Sequence, residues 1–235
     1  MLKEYTINGE SYSLNLFDKI TCSEEAYLIG YLCGDGGYNA PSYKRIARLY
    51  VCSADETVIT KFQKYFCPNN SINSKIPINK TRNIIATKPI YSLNFNSKFS
   101  EVFNKYGILA KKVDRKCINI PKKFMNAYLL GLFDADGCIT WGFRKDRNRL
   151  WASFQVTHCS LDVLSKIQKY LVSEWKINSI VTKRKTENCY DLKISEREVI
   201  TELYRRLYED TTCLFGLSRK KDHYLKFVEE YLQSY

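Results

Sequence analysis

The spacing of apolar residues alternates along the chain between that typical of helices and that typical of strands. The same order of these patterns occurs in both halves of the sequence. Apolar residues recur at helical spacing in residues 57–66 and 161–171, which predicts two amphipathic helices. An apolar helix precedes each of these segments. Alternation of apolar and polar residues, typical of half-exposed strands, follows in residues 45–51, 71–96, 149–157 and 178–194. The pattern predicts helix, two strands, helix, two strands and helix in each half.

Local signals mark the ends of the two apolar helices. Residues 21–24 (Thr-Cys-Ser-Glu) fit a capping box at the start of the first helix. Pro121 and Asn126 are start signals for the second. Each helix ends at an Asp-Gly pair, and we expect Gly36 and Gly137 to provide a left-handed stop, which glycine tolerates best.

The recurring order reflects an internal duplication. Residues 28–36 (LIGYLCGDG) resemble residues 129–137 (LLGLFDADG). Further resemblances follow in the same order, with offsets that drift by a few residues: 60–66 with 165–171, 91–96 with 190–195, and 106–114 with 215–223. Because one resemblance could arise by chance but four in register could not easily do so, we infer two copies of one unit.

The duplication divides the chain. A length of 235 residues is sufficient for two units with a core in each. The connection between the copies falls near residues 113–121. The predicted organisation is an N-terminal extension over residues 1–20, a first unit over 21–116 and a second unit over 117–235.

Composition narrows the class of partner. Lys and Arg number 37 against 25 Asp and Glu, a net charge of +12, which favours a polyanion: nucleic acid first, an anionic membrane surface second. The 45% hydrophobic content excludes a fully disordered chain. Since the sequence has neither a transmembrane-length apolar run nor a signal-peptide core, we expect an intracellular, non-secreted protein. An organelle matrix, a bacterial cytoplasm and a phage-infected cytoplasm all remain open as its compartment.

Cysteine and histidine do not form a zinc-binding pattern. The nine cysteines include no CxxC pair, and the two histidines are His158 and His223. We therefore expect reduced, mostly buried thiols and neither a zinc finger nor a zinc hydrolase.

The two apolar helices carry a stripe of small residues. Gly30 and Gly34 are four residues apart, as are Gly131 and Ala135, so two such helices can pack closely. If they pack about a pseudo-twofold axis, the aspartates that follow the stripe meet at one end of the contact. Paired carboxylates repel unless a proton or a cation intervenes, and a hard divalent ion such as Mg²⁺ suits oxygen ligands. Water activated by such a metal suits phosphodiester hydrolysis.

These motifs resemble those of the LAGLIDADG homing endonucleases in the single-chain form with two motifs. LLGLFDADG at 129–137 is a near match and LIGYLCGDG at 28–36 a looser one, with Cys33 where the second copy has Asp134. The resemblance implies an α+β fold of two αββαββα units, each with a saddle-shaped antiparallel sheet, packed through the motif helices. It also implies metal binding by Asp35 and Asp136, with the carbonyls of Gly34 and Ala135 as supplementary ligands.

Further catalytic candidates follow from the resemblance. Lys112 and Lys221 each lie five residues after a glycine, in a basic segment similar to one that places a lysine beside the family's active site. A shifted alignment would substitute Lys111 or Lys220. Gln155 resembles the polar residue that the family places near the scissile phosphate, and its counterpart in the first copy is Tyr50.

Basic residues in the predicted strands are candidates for DNA binding. A sheet laid along a groove can reach phosphates and guanine edges with Lys and Arg side chains. The candidates are Lys44, Arg45, Arg48, Lys75, Lys80, Arg82 and Lys88 in the first copy, and Arg144, Lys145, Arg147, Arg149, Lys183, Arg184 and Lys185 in the second.

Together these features predict a monomeric, site-specific endonuclease that hydrolyses both strands of a long, partly palindromic double-stranded DNA target. The expected cofactor is Mg²⁺, with Mn²⁺ as a substitute and Ca²⁺ as an ion that binds without supporting cleavage. An alternative is an RNA-binding intron-splicing maturase of the same fold, which would have intron RNA as its partner. A membrane-binding domain is disfavoured because the sequence shows no basic amphipathic helix with an exposed apolar face. The lack of evident splice-junction motifs favours a free-standing or intron-encoded enzyme over an intein.

Overall fold

The computed structural model describes most of the chain. The described residues are 4–7, 10–13, 19–39, 48–79, 84–85, 87–95, 99–109, 111–211 and 213–233. None of the helices in these ranges has the length and hydropathy of a membrane-spanning segment.

The first half contains an N-terminal hairpin followed by the predicted unit. The hairpin is β1 (Glu4–Ile7) and β2 (Glu10–Ser13). The unit consists of α1 (Ser23–Asp35), β3 (Gly36–Asn39), β4 (Arg48–Ser53), α2 (Glu56–Phe66), β5 (Ile72–Lys75), β6 (Ile78–Asn79), β7 (Ile84–Ile85), β8 (Ile90–Phe95) and α3 (Phe99–Lys105).

The second half repeats this order and adds a C-terminal helix. It consists of α4 (Met125–Asp136), β9 (Gly137–Arg144), β10 (Arg149–His158), α5 (Leu161–Tyr170), β11 (Ile180–Lys183), β12 (Tyr190–Ile194), α6 (Arg197–Tyr204) and α7 (Ser218–Gln233). The predicted α+β architecture of two αββαββα units is confirmed, with the small β6–β7 hairpin and helix α7 as additions.

The two main sheets have equivalent topology. The first has the strand order β3-β4-β8-β5, the second β9-β10-β12-β11, and all pairs are antiparallel. Along β10, residues alternate between buried and more exposed positions from Arg149 to His158, so one face of the sheet packs on the core. The other face is open, and it is this face that is available to a ligand.

Helices α1 and α4 pack against each other through their glycines. A Cβ atom on Gly30 would collide with the carbonyl oxygen of Tyr128, and one on Gly131 would collide with that of Tyr27. The two contacts are reciprocal, as a pseudo-twofold axis requires. The small-residue interface predicted from the spacing is confirmed.

The two motif helices are buried on every side. Buried residues of α1 run from Ala26 to Gly34 without a polar face, and those of α4 from Ala127 to Asp134. A helix that is apolar all round belongs in the centre of a core rather than at its surface. The aspartates that end the two helices therefore lie where the core opens toward the sheets.

The prediction of a left-handed glycine at the end of each motif helix is wrong. Gly36 has φ −69° and Gly137 has φ −98°, so both are extended rather than left-handed. Each glycine begins the first strand of its sheet. A Cβ atom on Gly137 would lie 2.6 Å from the carbonyl oxygen of Phe133, and the equivalent atom on Gly36 would collide with that of Leu32. Glycine is required here because the strand turns back tightly on its helix.

The start of α1 also differs from the expected capping box. Helix α1 begins at Ser23, and the box uses Glu25 rather than Glu24. The Glu25 carboxylate accepts hydrogen bonds from the backbone N–H of Thr21 at 2.6 Å and of Cys22 at 3.4 Å. The signal lay one residue later than the sequence pattern indicated.

The cysteines are free thiols but are less buried than expected. Cys33, Cys67, Cys117 and Cys213 are buried, whereas Cys138 is exposed and the other four are intermediate.

Candidate metal centre and nucleic-acid interface

Asp35 and Asp136 are the last residues of α1 and α4, and the helix packing brings them together. A Cβ atom on Gly34 would lie 2.5 Å from the Cβ of Ala135 and 3.1 Å from Oδ2 of Asp136. Burial, and next the nearby charge of Asp136, raise the pKa of Asp35 to about 6. The two half-buried carboxylates thus share one site at the end of the helix contact.

The donor set of this site fits a hard divalent cation. Two carboxylates held together in a partly desolvated position repel each other, and a bound cation would relieve that repulsion. Their oxygens, with nearby backbone carbonyls, are the ligands that Mg²⁺ and Ca²⁺ prefer. The donor set supports this fit: one partly buried carboxylate from each helix, with the small residues Gly34 and Ala135 packed between the two helices.

Lys112 lies beside the carboxylates. Its Nζ is 3.8 Å from Oδ2 of Asp136, so a lysine from the end of the first unit faces the aspartate of the second. The Lys112 side chain is 39% exposed and remains accessible to a bound ligand. Lys111, its neighbour, is exposed to solvent.

In the second unit the structure places Lys220 near the site and not Lys221. Lys220 Nζ donates hydrogen bonds to the carbonyl oxygens of Phe133 and Gly137, each at 2.7 Å. Lys221 is exposed and lines a separate cavity with Leu130 and Phe215. Successive residues of a helix point about 100° apart, so only one member of the pair on α7 can face the aspartates. The position beside the carboxylates that was expected for Lys221 is therefore occupied by Lys220.

Arg115 is a residue of the site that the sequence reasoning missed. Its guanidinium is buried, with 1% of the residue exposed. It donates to the carbonyl oxygens of Leu32 at 3.1 Å, Cys33 at 2.6 Å and Gly36 at 2.6 Å. A cation at the C-terminal end of a helix is electrostatically favourable, and here it also satisfies free carbonyls.

Arg115 and Lys220 perform the same task in the two units. Arg115 binds the carbonyls of Leu32 and Gly36, and Lys220 binds those at the equivalent positions, Phe133 and Gly137. The repeat alignment pairs Lys220 with Lys111, so the equivalence with Arg115 is not visible in the sequence. The only available signal was a further basic residue shortly after the lysine pair.

A histidine of the second unit also reaches the end of α1. Nδ1 of His158 accepts a hydrogen bond from the backbone N–H of Ser160 at 2.9 Å, so Nε2 carries the proton and donates to the carbonyl oxygen of Cys33 at 3.0 Å. Burial lowers the pKa of His158, which keeps the ring neutral. The contact ties β10 to the helix that carries Asp35.

The position at which the first motif has Cys33 and the second has Asp134 is structural in both. Asp134 is buried, and its Oδ2 accepts hydrogen bonds from Tyr27 Oη at 2.7 Å and from the N–H of Leu217 at 2.8 Å. Cys33, its counterpart, packs 3.8 Å from Nε2 of His158. These contacts turn both side chains into the protein interior.

Gln155 and Tyr50 occupy equivalent places in the two sheets. Gln155 pairs with Cys138 on β9 and Lys193 on β12, and Tyr50 pairs with Gly37 and Asn94. Gln155 Nε2 donates to Oδ1 of Asp191 at 3.1 Å and to Oγ1 of Thr157 at 3.0 Å. It lies in the row of the sheet next to Gly137, and so close to the carboxylates.

The open face of the second sheet carries part of the predicted basic set. Arg144 and Arg149 are paired across β9 and β10 and are both exposed. Lys145 and Lys185 are exposed in the turns, whereas the side chain of Arg147 lies outside the described residues. Lys183 shares the parity of Val181 on β11, so it belongs to the opposite face of the sheet.

The sequence reasoning missed Lys193, although it lies on the open face opposite Gln155. The alternation in residues 190–195 could have identified it, once the face of β12 was known.

In the first sheet only two of the candidates have described side chains. Lys75 on β5 and Lys88 before β8 are exposed. Arg48 lies on β4 with its side chain outside the described residues. The predictions for Lys44, Arg45, Lys80 and Arg82 also lie outside them.

Comparison with known proteins agrees with this geometry. Residues 123–208 match a family model described as a LAGLIDADG-like domain. The chain as a whole has the fold of the single-chain LAGLIDADG homing endonucleases with two motifs, so the fold that the motif resemblance implies is confirmed.

Three solved structures show the likeness over nearly the whole chain. The I-GzeII endonuclease in complex with its DNA target has a TM-score of 0.59 and 12% identity, covering 88% of this chain and 90% of that one. The I-WcaI endonuclease bound to its DNA recognition sequence has a TM-score of 0.60 and 14% identity, covering 87% and 86%. The K262A mutant of I-SmaMI has a TM-score of 0.60 and 13% identity, covering 93% and 91%.

A sequence relative covers a smaller part of the chain. Reverse gyrase of Methanocaldococcus jannaschii is 30% identical over 106 residues, which is 45% of this chain. The match spans only 6% of the length of that relative.

Proposed function

We propose that this protein is a site-specific endonuclease that hydrolyses both strands of a double-stranded DNA target in the presence of Mg²⁺. The observation that carries the proposal is the pair of carboxylates, Asp35 and Asp136, at the ends of two helices that pack between two open sheets. Because each unit contributes one carboxylate, the pair is arranged with the pseudo-twofold symmetry that cleavage of the two strands of one duplex requires.

The carboxylates and the two lysines of the site have proposed roles. Asp35 and Asp136 bind the metal, with the carbonyls of Gly34 and Ala135 as supplementary ligands. A divalent cation held by these residues would supply an activated water and would stabilise the charge that develops on the phosphate. Lys112 and Lys220 place positive charge beside the carboxylates, where it stabilises the transition state.

The open sheet faces are the proposed DNA-binding surface. Each main sheet has four strands, and on the second the exposed Arg144 and Arg149 can contact phosphates or bases. The structures of I-GzeII and I-WcaI, which contain DNA, have this fold and support the assignment. Because the two units differ in sequence, the target is expected to be only partly palindromic.

The same geometry supports a monomer as the active form. Both carboxylates lie on one chain, so a single copy completes the site. We expect one protein per DNA duplex, measured by sedimentation of the complex in Ca²⁺, with Mn²⁺ but not Ca²⁺ replacing Mg²⁺ in cleavage.

The test is cleavage of a random DNA library with Mg²⁺, followed by sequencing of the cut ends. We expect a single enriched target for the native chain. Asp35→Asn and Asp136→Asn should abolish double-strand cleavage yet retain binding, because each removes an anionic ligand and leaves the sheets intact. Lys226→Ala, at an exposed position of α7, is the matched control and should cut normally. Near-normal cutting by both Asp variants would overturn the metal assignment, and binding without cutting by the native chain would overturn the nuclease assignment.

A further inference from the structure

Five side chains on the second sheet form one hydrogen-bonded cluster, which we call the Asp191 cluster. Its members are Gln155, Thr157, Arg184, Asp191 and Lys193. Oδ1 of Asp191 accepts hydrogen bonds from Thr157 Oγ1 at 2.8 Å, from Gln155 Nε2 at 3.1 Å and from Arg184 Nε at 2.8 Å. Lys193 Nζ lies 3.4 Å from Oδ2 of the same carboxylate.

The sheet register puts the Asp191 cluster on the open face. Thr157 pairs with Asp191, and Gln155 pairs with Lys193, so these four share one side of β10 and β12. The intervening residues, Val156 and Leu192, are fully buried on the other side. Gln155 is also paired with Cys138, two residues after Asp136. The cluster therefore lies at the end of the sheet nearest to the carboxylate pair.

Asp191 is an unusual residue for a surface that binds a polyanion. It is only 5% exposed. Burial acts to raise its pKa, but hydrogen bonds from Thr157 and Arg184 outweigh this and hold the pKa below its ordinary value. Asp191 is thus an ionised carboxylate, held in place by its neighbours on the face that is proposed to meet DNA.

The contacts of Arg184 fix its guanidinium without using all of its donors. Nε donates to Asp191, Nη2 donates to Oγ1 of Thr157 at 2.9 Å, and Nη1 donates to Oε2 of Glu187 at 2.9 Å. A guanidinium has five N–H donors, so two remain, one on each terminal nitrogen. Two adjacent donors in one plane match the O6 and N7 acceptors of guanine in the major groove.

The charge balance separates a base contact from a phosphate contact. Asp191 and Glu187 offset the charges of Arg184 and Lys193, so this group of four is neutral overall. A neutral site offers little attraction for a phosphate, whereas a base edge is itself neutral and is recognised by hydrogen-bond geometry. Because Asp191 already holds the Arg184 side chain in one orientation, less conformational entropy is lost when the arginine binds a base.

From these contacts we infer that Arg184 reads a guanine in the central part of the target and that Asp191 is the positioning residue that orients it. The inference rests on the proposed function and adds to it a residue that determines specificity. It predicts that Arg184 contributes to sequence discrimination and little to the salt-dependent attraction to the DNA backbone.

The test measures binding in Ca²⁺ to the target identified by library cleavage and to variants with each central base pair replaced. Arg184→Ala should reduce discrimination at one G·C pair by roughly 10- to 100-fold. For this variant, the slope of the logarithm of affinity against the logarithm of salt concentration should stay close to that of the native chain. Arg184→Lys keeps the charge but not the paired donors, and should lose the same discrimination. Lys226→Ala, at an exposed position of α7 away from the sheets' basic residues, is the control and should leave the base preference unchanged.

Asp191→Asn tests the positioning role. It retains the shape of the side chain but frees the arginine, so discrimination at the same base pair should fall while binding to unrelated DNA becomes tighter. An unchanged thermal midpoint would show that the variant folds. If Arg184→Ala instead weakens all sequences equally and reduces the salt slope by about one phosphate contact, the base-reading inference is overturned although the proposed function stands. If the native chain binds no DNA, the proposed function itself fails.

Discussion

At the scale of single residues, the chemistry of the site depends on how Asp35 is held. It follows eleven helical residues that are buried, yet its own side chain reaches the opening of the core beside Asp136. Arg115 and His158 bind the carbonyls just before it, so the backbone that carries the carboxylate is fixed from two directions. A carboxylate held in this way would lose little entropy on binding the proposed metal ion.

The raised pKa of Asp35 makes the stability of the metal-free protein depend on pH. Its folded pKa of about 6 exceeds the ordinary value of 3.8, so the group stabilises the fold below about pH 4 and this contribution is lost as pH rises through 6. Asp35→Asn should therefore raise the free energy of unfolding in EDTA at pH 8 by about 1–2 kcal/mol. Urea denaturation at a series of pH values measures it.

Added Ca²⁺ should reverse this comparison at pH 8, because the ion binds the ionised carboxylate and stabilises only the native chain. Identical pH profiles of the native chain and Asp35→Asn in EDTA would contradict the environment assigned to this residue. Lys226→Ala serves again as the control.

At the scale of elements, the contact between α1 and α4 determines whether a site exists. The two helices approach until backbone carbonyls of one lie against glycines of the other, which is possible only without side chains at Gly30 and Gly131. The hydrogen bonds of Arg115 and Lys220 to the ends of the helices then set where each strand begins. The packing of the two helices therefore also fixes the position of the two carboxylates.

Larger residues at these glycines should separate the helices. Gly30→Leu and Gly131→Leu should each lower stability by at least about 1–3 kcal/mol, because the new side chain meets backbone that cannot rotate away. Thermal unfolding measures the effect, with Lys226→Leu at an exposed position of α7 as the matched control. Unchanged midpoints in both glycine variants would mean that the helices do not meet at these residues.

At the scale of the whole molecule, charge and duplication act together. A net charge of +12 is distributed over two units of the same fold, each with one open antiparallel sheet. A net positive charge attracts any polyanion, and in the proposed function the side chains fixed on the sheets supply the sequence selectivity.

Affinity for DNA should therefore depend steeply on salt. Each neutralised phosphate contributes a slope of about −0.9 in log affinity against log salt, so several contacts give a steep line. Fluorescence anisotropy in Ca²⁺ over a range of KCl concentrations measures it. Substitutions in the two halves of the target should have different effects, because the two sheets carry different residues. A binding profile that is flat in both salt and sequence would contradict the proposed DNA-binding surface.

Much of the fold was predictable from the sequence, because local patterns encode local structure. The period of apolar residues identifies α2, α5 and β10, and the duplication requires that the same elements occur twice. The glycine spacing predicts that α1 and α4 meet, and an aspartate at the end of each helix then has to lie beside the other. The carboxylate pair is therefore readable from the sequence once symmetry is assumed.

Other features depend on the relative orientation of elements, which only the tertiary structure decides. Lys220 rather than Lys221 faces the site because the packing of α7 sets its rotation about its axis. Arg115 makes in the first unit the contacts that Lys220 makes in the second, although the repeat alignment pairs Lys220 with Lys111. The side chain is selected by its ability to reach the two carbonyl oxygens and not by its position in the repeat. The Asp191 cluster contains residues of three segments that are distant along the chain, and the register of the strands brings them together. Periodicity specifies which face a residue occupies, but not which distant residue it meets there.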